Sequence, residues 1–287
     1  IGLQVGDLLD PSNLKTKLKK ALRQKNLEAV SLYSKNAFNE EEMIQSLLEV
    51  SIFLKDYISS RVERDIDEAI LKGKKVLLEG AHGSYLDQTF GTYPYVTSSG
   101  TIASSILAGA GVGPTRVSSV LGIVKAFTKR VGNGPFPTEL SKDERKLFLS
   151  SHEAREVGTT TSRDRRLGWF DAPLVRQSLR WSGASSFALM KLDVLSTLKE
   201  LKVCVGYRLG EKFLDTPPAL SDQWQDLQPV YEIFPGWMEP ISVTVKNSLP
   251  SKALDYVEAI EKFCKCTVSF ISYGPEREKT IQKRELL

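Results

Sequence analysis

Phe187-Ala188-Leu189-Met190-Lys191-Leu192-Asp193 opens on four apolar residues and breaks off into a polar triplet. A short apolar run of this kind reads as a buried strand, and the residues that end it fall at the strand's carboxyl end. Ligands of open α/β sheets collect there. An aspartate in that place can accept two parallel hydrogen bonds from the N1–H and 2-amino groups of guanine. Adenine lacks this donor pair, and a carboxylate left facing it forfeits its charge-assisted bonds. The stem of Lys191 can cover the purine face. The residues from 194 to 198 can turn as a helix, so Asp193 also reads as a helix N-cap, and the two roles are compatible.

Strands and helices alternate on both sides of this run. Residues 171–181 read as a helix with Leu174, Val175 and Leu179 inward, and residues 203–207 as a strand. Residues 250–263 form an amphipathic pattern carrying Leu254, Val257, Ile260 and Phe263. The strand-like run 268–271 then ends at Ser272-Tyr273-Gly274-Pro275. Upstream, residues 120–127 read as another buried strand, stopped by Gly132-Asn133-Gly134-Pro135. This alternation predicts an α/β fold with a mainly parallel sheet flanked by helices.

The start of the chain differs. Asp10-Pro11 is an N-cap followed by a first-turn proline, and Leu14, Leu18, Leu22 and Leu27 follow at helical spacing. A second helix begins near Asn39, with Glu42 placed for a capping box. It carries Ile44, Leu47, Leu48, Phe53, Leu54 and Ile58, and residues 1–73 read as mainly helical, closing at Gly73. Residues 75–79 form a β-like run, followed by a loop marked by Gly80, Gly83, Gly91 and Pro94. Tyr85, Leu86, Phe90, Tyr93 and Tyr95 give that loop the apolar surface of a packed wall. With no internal repeat or linker, residues 1–287 read as one domain containing the helical region.

Val157-Gly158-Thr159-Thr160-Thr161-Ser162-Arg163-Asp164-Arg165-Arg166 concentrates hydroxyls and guanidinium groups. Guanidinium forks match carboxylate or phosphate bidentately, so the stretch reads as an anion-binding loop; a solvated basic loop is the plainer alternative. His82, between Ala81 and Gly83, can contact a ligand or a backbone carbonyl. Together these residues suggest an enzyme handling a purine nucleotide and a small dicarboxylate. The chain has 39 Lys+Arg against 35 Asp+Glu, a balance that argues against a nucleic-acid partner. Three cysteines without framework spacing fit a reducing, cytoplasmic compartment rather than a disulfide scaffold. No apolar run is long enough to span a membrane. Neither a Walker-type phosphate loop nor a metal-ligand cluster is present in the sequence. The chain opens on Ile1-Gly2-Leu3, apolar and without an initiator Met, as a sequence starting inside a domain would.

The chain resembles the adenylosuccinate synthetase family along nearly its whole length. The resemblance is carried by Glu79-Gly80-Ala81, Leu86-Asp87, Gly91-Thr92-Tyr93-Pro94, Val96-Thr97-Ser98-Ser99 and Arg130-Val131-Gly132. It continues through Gly134-Pro135-Phe136-Pro137-Thr138-Glu139-Leu140, Gly168-Trp169, Lys191-Leu192-Asp193-Val194-Leu195, Pro235-Gly236-Trp237 and Gly274-Pro275. It implies a P-loop-NTPase-like synthetase fold lacking its N-terminal part. The implied chemistry is GTP-dependent ligation of IMP and L-aspartate to adenylosuccinate, through 6-phosphoryl-IMP, with Mg2+, in de novo AMP synthesis.

Carried over position by position, the resemblance implies IMP contacts at His82, Thr97, Val131 and Arg163. It implies an aspartate loop of Thr159, Thr160, Thr161, Ser162, Arg163, Asp164 and Arg165. It implies GTP contacts at Arg165, Lys191, Leu192, Asp193, Ser272, Tyr273 and Gly274. His82 stands where the family usually has glutamine, Ser162 where it has glycine, and Asp164 where it has a basic residue. The family's phosphate loop, catalytic aspartate and histidine, and magnesium ligands are expected outside this chain, so no catalytic or metal residue is assigned within it. Homodimers are usual in the family. The resulting expectation is the C-terminal portion of a synthetase, inactive by itself. The alternatives are a noncatalytic nucleotide-binding or assembly subunit, or a related synthetase for another purine nucleotide.

Overall fold

The computed structural model describes residues 2–149, 165–241 and 249–285. The chain divides into two compact units, Ile1–Lys75 and Val76–Leu287. In the first, helix α1 (Pro11–Tyr33) starts where Asp10 accepts the Ser12 and Asn13 N–H groups, and it buries Leu14, Leu18 and Leu22. Asp7, 6% exposed, takes Lys17 Nζ at 2.5 Å and the Gln4 N–H at 2.8 Å, which ties the preceding 3-10 turn to α1. Leu27 falls off the buried stripe and is exposed. Helix α2 (Glu40–Leu54) is capped by Asn39, which accepts from the Glu41 and Glu42 N–H groups. Glu42 takes the Asn39 side-chain amide, not the backbone N–H of a full capping box. None of the apolar residues of α2 is fully buried, Phe53 is exposed, and Ile58 lies past the 3-10 turn Lys55–Tyr57. Helix α3 (Val62–Leu71) carries an Arg61–Asp65–Glu68 ion-pair ladder on its surface.

The strand expected at residues 75–79 does not form: residues 74–80 have no regular structure, and Leu77 is 88% exposed. A strand is completed by a neighbour that pairs its backbone groups. This run has none among the described residues.

The second unit holds strands β1 (Leu121–Lys125), β2 (Thr128–Arg130), β3 (Arg166–Gly168), β4 (Phe170–Asp171), β5 (Ser186–Met190), β6 (Glu200–Leu209), β7 (Lys212–Leu214), β8 (Gln228–Pro235), β9 (Thr267–Ser272) and β10 (Thr280–Gln282). Its helices are α4 (Ala103–Ala110), α5 (Lys142–Phe148), α6 (Ala172–Ser182) and α7 (Ser251–Cys264). The central sheet runs β1-β5-β9-β10, with β1, β5 and β9 parallel and β10 antiparallel at its edge. A second sheet is built on β6, which pairs β4 in parallel and β7 and β8 antiparallel. The architecture is α/β, as expected.

Leucines, valines and aromatic residues from β5, β9 and α7 make the main core; Phe187, Leu189, Val257, Ile260 and Val268 are 0% exposed. Burial at 25 cal/mol per Å2, or roughly 2 kcal/mol for each such side chain, is what holds the sheet and helix together. Helix α6 is capped by Asp171, whose Oδ1 accepts the Leu174 N–H at 3.2 Å. Helix α7 buries Val257 and Ile260 as expected, but its stripe is completed by Ala253, Tyr256 and Cys264, while Leu254 is 39% exposed and Phe263 only half-buried. A smaller cluster joins Cys204 and Tyr207 of β6 to Trp224 and Leu227. No helix among the described residues is long and apolar enough to cross a membrane.

Candidate nucleotide site

Strand β5 delivers its chain to the site through a sharp reversal. Met190 O accepts the Ala126 N–H at 2.8 Å, and Lys191 then takes φ 63°, ψ 40°. Left-handed backbone is costly for a lysine and marks a point that the surroundings fix. A 3-10 turn, Leu192–Leu195, follows with Lys191 at its N-cap, so Asp193 sits in the first turn and does not cap a longer helix. Leu192, Val194 and Leu195 are at most 1% exposed, while Lys191 and Asp193 stay half-buried. Trp237 Nε1 donates to Ser196 Oγ at 3.0 Å and the Gly236 N–H to Lys199 O at 2.8 Å, which pins the turn from behind.

Leu189 is in register with Ile271, so Ser272, Tyr273 and Gly274 leave the neighbouring strand beside this turn. Ser272 Oγ donates to Gly274 O at 3.0 Å, and the Tyr273 N–H to Lys279 O at 3.0 Å. Lys191, Asp193, Ser272 and Gly274 therefore occupy adjoining carboxyl ends of parallel strands.

Two lysines not singled out from the sequence join them. Lys125 closes β1 opposite Met190, and Lys129 lies on β2 opposite Leu167. Burial, with Lys125 beside it and Arg165 and Lys191 near, pulls the Lys129 ammonium down to about 6. Lys125 and Lys191 are also lowered, each first by burial; Arg165 lowers both, and Asp193 acts in the opposite sense on Lys191. Arg165 O, just ahead of β3, accepts Arg145 Nη1 at 2.8 Å. Four basic groups, Lys125, Lys129, Arg165 and Lys191, thus lie close enough to act on one another, with the Asp193 carboxylate acting on Lys191, a charge pattern suited to an anionic ligand. A lysine at the end of an apolar run was the available signal for Lys125. No local signal marks Lys129.

A second group gathers around the loop between α3 and α4. Asp87, 1% exposed, accepts four backbone N–H groups: Thr89 at 2.9 Å, Phe90 at 3.0 Å, Thr101 at 2.6 Å and Ile102 at 3.4 Å. Burial raises its carboxyl, and those four donors outweigh it, leaving the group below its ordinary value. Tyr85 packs against Trp181 and Trp224 at 5.1 and 5.4 Å between ring centroids and Phe90 against Trp181 at 5.5 Å, so this part of the loop is a packed wall, whereas Tyr93 and Tyr95, 71% and 44% exposed, stand outside it. Thr97 is half-buried, its N–H bonded to Leu86 O at 2.8 Å. His82 is exposed with φ 68°, and the next residue's carbonyl accepts from Thr101 Oγ1. Val131, 42% exposed, follows β2. Arg130 bonds Thr92 and Tyr95 on one loop and Asn133 on the other, so the segments carrying Thr97 and Val131 are joined. Thr159, Thr160, Thr161, Ser162, Arg163 and Asp164 lie outside the described residues.

A parallel sheet with polar residues gathered at its carboxyl ends is the frame of an α/β ligand-binding protein. The adenylosuccinate synthetase family profile matches residues 1–281, and the chain belongs to that family. It is 43% identical over 289 residues to the adenylosuccinate synthetase of Desulfitobacterium hafniense (strain DSM 10664 / DCB-2). It is 45% identical over 289 residues to that of Mycobacterium tuberculosis (strain CDC 1551 / Oshkosh). In both comparisons all of this chain is covered, and it spans 66% of the relative's length. The structure of fully ligated adenylosuccinate synthetase from Plasmodium falciparum superimposes with TM-score 0.90 at 35% identity, covering 99% of this chain and 66% of that one.

Proposed function

We propose that this chain supplies the base-recognition and IMP-contacting part of a GTP-dependent carbon–nitrogen ligase that joins IMP and L-aspartate into adenylosuccinate. The observation that carries the reading is the placement of Lys191 and Asp193 beside Ser272 and Gly274 at adjoining strand ends. Asp193 accepts from the N1–H and 2-amino group of guanine, and the Lys191 stem lies along the ring. Arg165 and the neighbouring lysines offset the phosphate charge. The loops holding Thr97, Val131 and His82 take IMP, and Thr159 to Arg165 take the dicarboxylate. The function then follows as ligation in which GTP phosphorylates the 6-oxygen of IMP and the aspartate amine displaces that phosphate.

Among the described residues no three His, Cys, Asp or Glu side chains gather as a metal-ligand group. The Mg2+ of the proposed reaction finds no fitting ligand set among the described residues. We assign no catalytic acid or base within the chain, and its turnover in isolation is expected to be at background. A homodimer is the proposed assembly.

Calorimetric titration tests the reading. GDP is expected to bind, ADP to bind at least tenfold more weakly, and Asp193→Asn to abolish the difference, as a lost charge-assisted pair of hydrogen bonds demands (about 1.5–3 kcal/mol). Equal affinity for GDP and ADP in the unmodified protein would overturn it.

A further inference from the structure

Arg130 and Arg166 face each other in the β2–β3 register, two like charges brought opposite one another. Both reach the same short turn. Arg130 Nε donates to Asn133 O at 2.9 Å; Arg166 Nη1 donates to Gly134 O at 2.8 Å and Gly132 O at 3.4 Å. Arg166 is balanced by Glu139 and rests over the Phe136 ring, 5.3 Å from its centroid. Arg130 instead sends Nη2 across to Thr92 Oγ1 at 2.9 Å and Tyr95 O at 3.3 Å, 38 and 35 residues back in the chain. Thr92 is 1% exposed and its N–H is bonded to Tyr85 O, so this anchor belongs to the aromatic wall. Burial and then Arg166 act against the Arg130 charge. A guanidinium kept there fixes two loops with one planar fork, which an ammonium cannot do.

Gly134 shows how closely the fork fits. At φ +105°, a Cβ on Gly134 would meet Arg130 Nη2, and would lie 2.8 Å from Arg130 Cζ and 2.9 Å from Tyr95 Cβ. The absence of a side chain at 134 leaves the place that the guanidinium fills.

We propose that Arg130 is a positioning residue, setting the gap between the Thr97 loop and the Val131 loop and thereby the fit of the nucleotide that these loops receive. This rests on the assignment of IMP to the two loops. The clamp predicts a split between ligands. Arg130→Met and, separately, Gly134→Ala weaken IMP binding about tenfold or more, as loss of charge-assisted fixing of both loops requires, and leave GDP affinity within about twofold. Arg130→Lys does not restore IMP binding. Hydrogen exchange gives a ligand-free reading: the Thr92, Tyr95 and Thr97 amides exchange faster in both variants, and the Ser196 and Leu198 amides do not.

Unmodified protein that fails to bind IMP overturns the functional reading, and with it the ligand named here. Unmodified protein that binds IMP, with Arg130→Met and Gly134→Ala binding it equally well, overturns the positioning role alone. Unchanged exchange at Thr92 to Thr97 in both variants does the same without any ligand.

Discussion

Tyr207 donates its hydroxyl to Asp171 Oδ1 at 2.6 Å inside a fully buried site, while Asp171 Oδ2, equally buried, meets no donor. The Thr138 hydroxyl turns toward the same carboxyl without completing a hydrogen bond. Burial raises the Asp171 carboxyl to about 7, against the smaller lowering effects of Tyr207, the Leu174 N–H, Thr138 and Arg176. A proton on Oδ2 supplies the missing donor, and Thr138 Oγ1 can accept it.

The pH dependence follows with a definite sign. The folded group holds its proton up to about 7, while the unfolded group releases it near its ordinary 3.8. The Asp171 contribution to stability is therefore fully present at low pH, falls as pH climbs between these values, and is gone above them, a loss of roughly 4 kcal/mol at about 1.4 kcal/mol per unit. Asp171→Asn, whose amide donates permanently, is expected to flatten this slope. Urea unfolding at several pH values measures it. All four tryptophans lie in the second unit, so their fluorescence reports that unit alone. An unchanged slope in the variant would show that another group carries the dependence.

Asp87 is the opposite case, a buried carboxylate kept ionised by four backbone donors. Asp87→Ala leaves those N–H groups of Thr89, Phe90, Thr101 and Ile102 without an acceptor. The expected cost is roughly 3 kcal/mol, the range for breaking charge-assisted bonds in a buried setting. Exchange of those four amides is expected to rise together. Retention of their protection would mean that the aromatic wall holds the loop unaided.

The contrast between these two acids shows where sequence reading stops. Strands β5 and β9 and helix α7 were legible because their periodicity is local. Residues 75–79 have the same kind of apolar run, yet a strand also depends on a partner, which local pattern does not encode. Asp193 was legible as a polar residue ending a strand, whereas Ser272 and Gly274 were reached through family resemblance. Lys129 and Arg130 were illegible as site residues because register across β2 and β3, and contacts 38 residues away, bring them into place. Asp171 reads from the sequence only as the first residue of a helix; its place as the cap of α6 and its burial against Tyr207 come from the structure and the packing of β6.

Glu144 contributes on the acid side. Its carboxylate takes Trp169 Nε1 at 2.9 Å, Lys202 Nζ at 3.0 Å and the Ser141 N–H at 2.9 Å, closing the capping box of α5. Burial opposes ionisation, and these donors more than offset it, leaving the group at about 2. Its stabilisation is present above the ordinary 4.5 and is lost as pH falls toward 2. The site is partly open to water, so Glu144→Gln is expected to cost only about 1–2 kcal/mol at neutral pH. The same substitution should reduce the acid-limb slope of tryptophan-monitored unfolding. An identical acid limb would remove Glu144 from the account.

Gly236 links the back of the fold to the base-reading turn. A Cβ there would strike the Leu198 carbonyl oxygen and lie 2.8 Å from its carbon and 3.1 Å from the Lys199 carbon, all backbone atoms that cannot swing aside. Leu198 follows directly from the turn carrying Asp193, and Trp237 holds Ser196 of the same segment. Gly236→Ala must therefore move that segment or the end of β8. The expected result is a stability loss of about 2–3 kcal/mol, typical of forced overpacking. Weaker GDP binding is expected with it, since the displaced segment includes the carboxylate. Gly210→Ala is the comparison, because its φ of +60° strains a side chain although nothing lies within 4 Å. It should destabilise without changing GDP affinity in the protein that remains folded. Equal GDP affinity in both variants would separate the turn's geometry from the β8 contact that backs it.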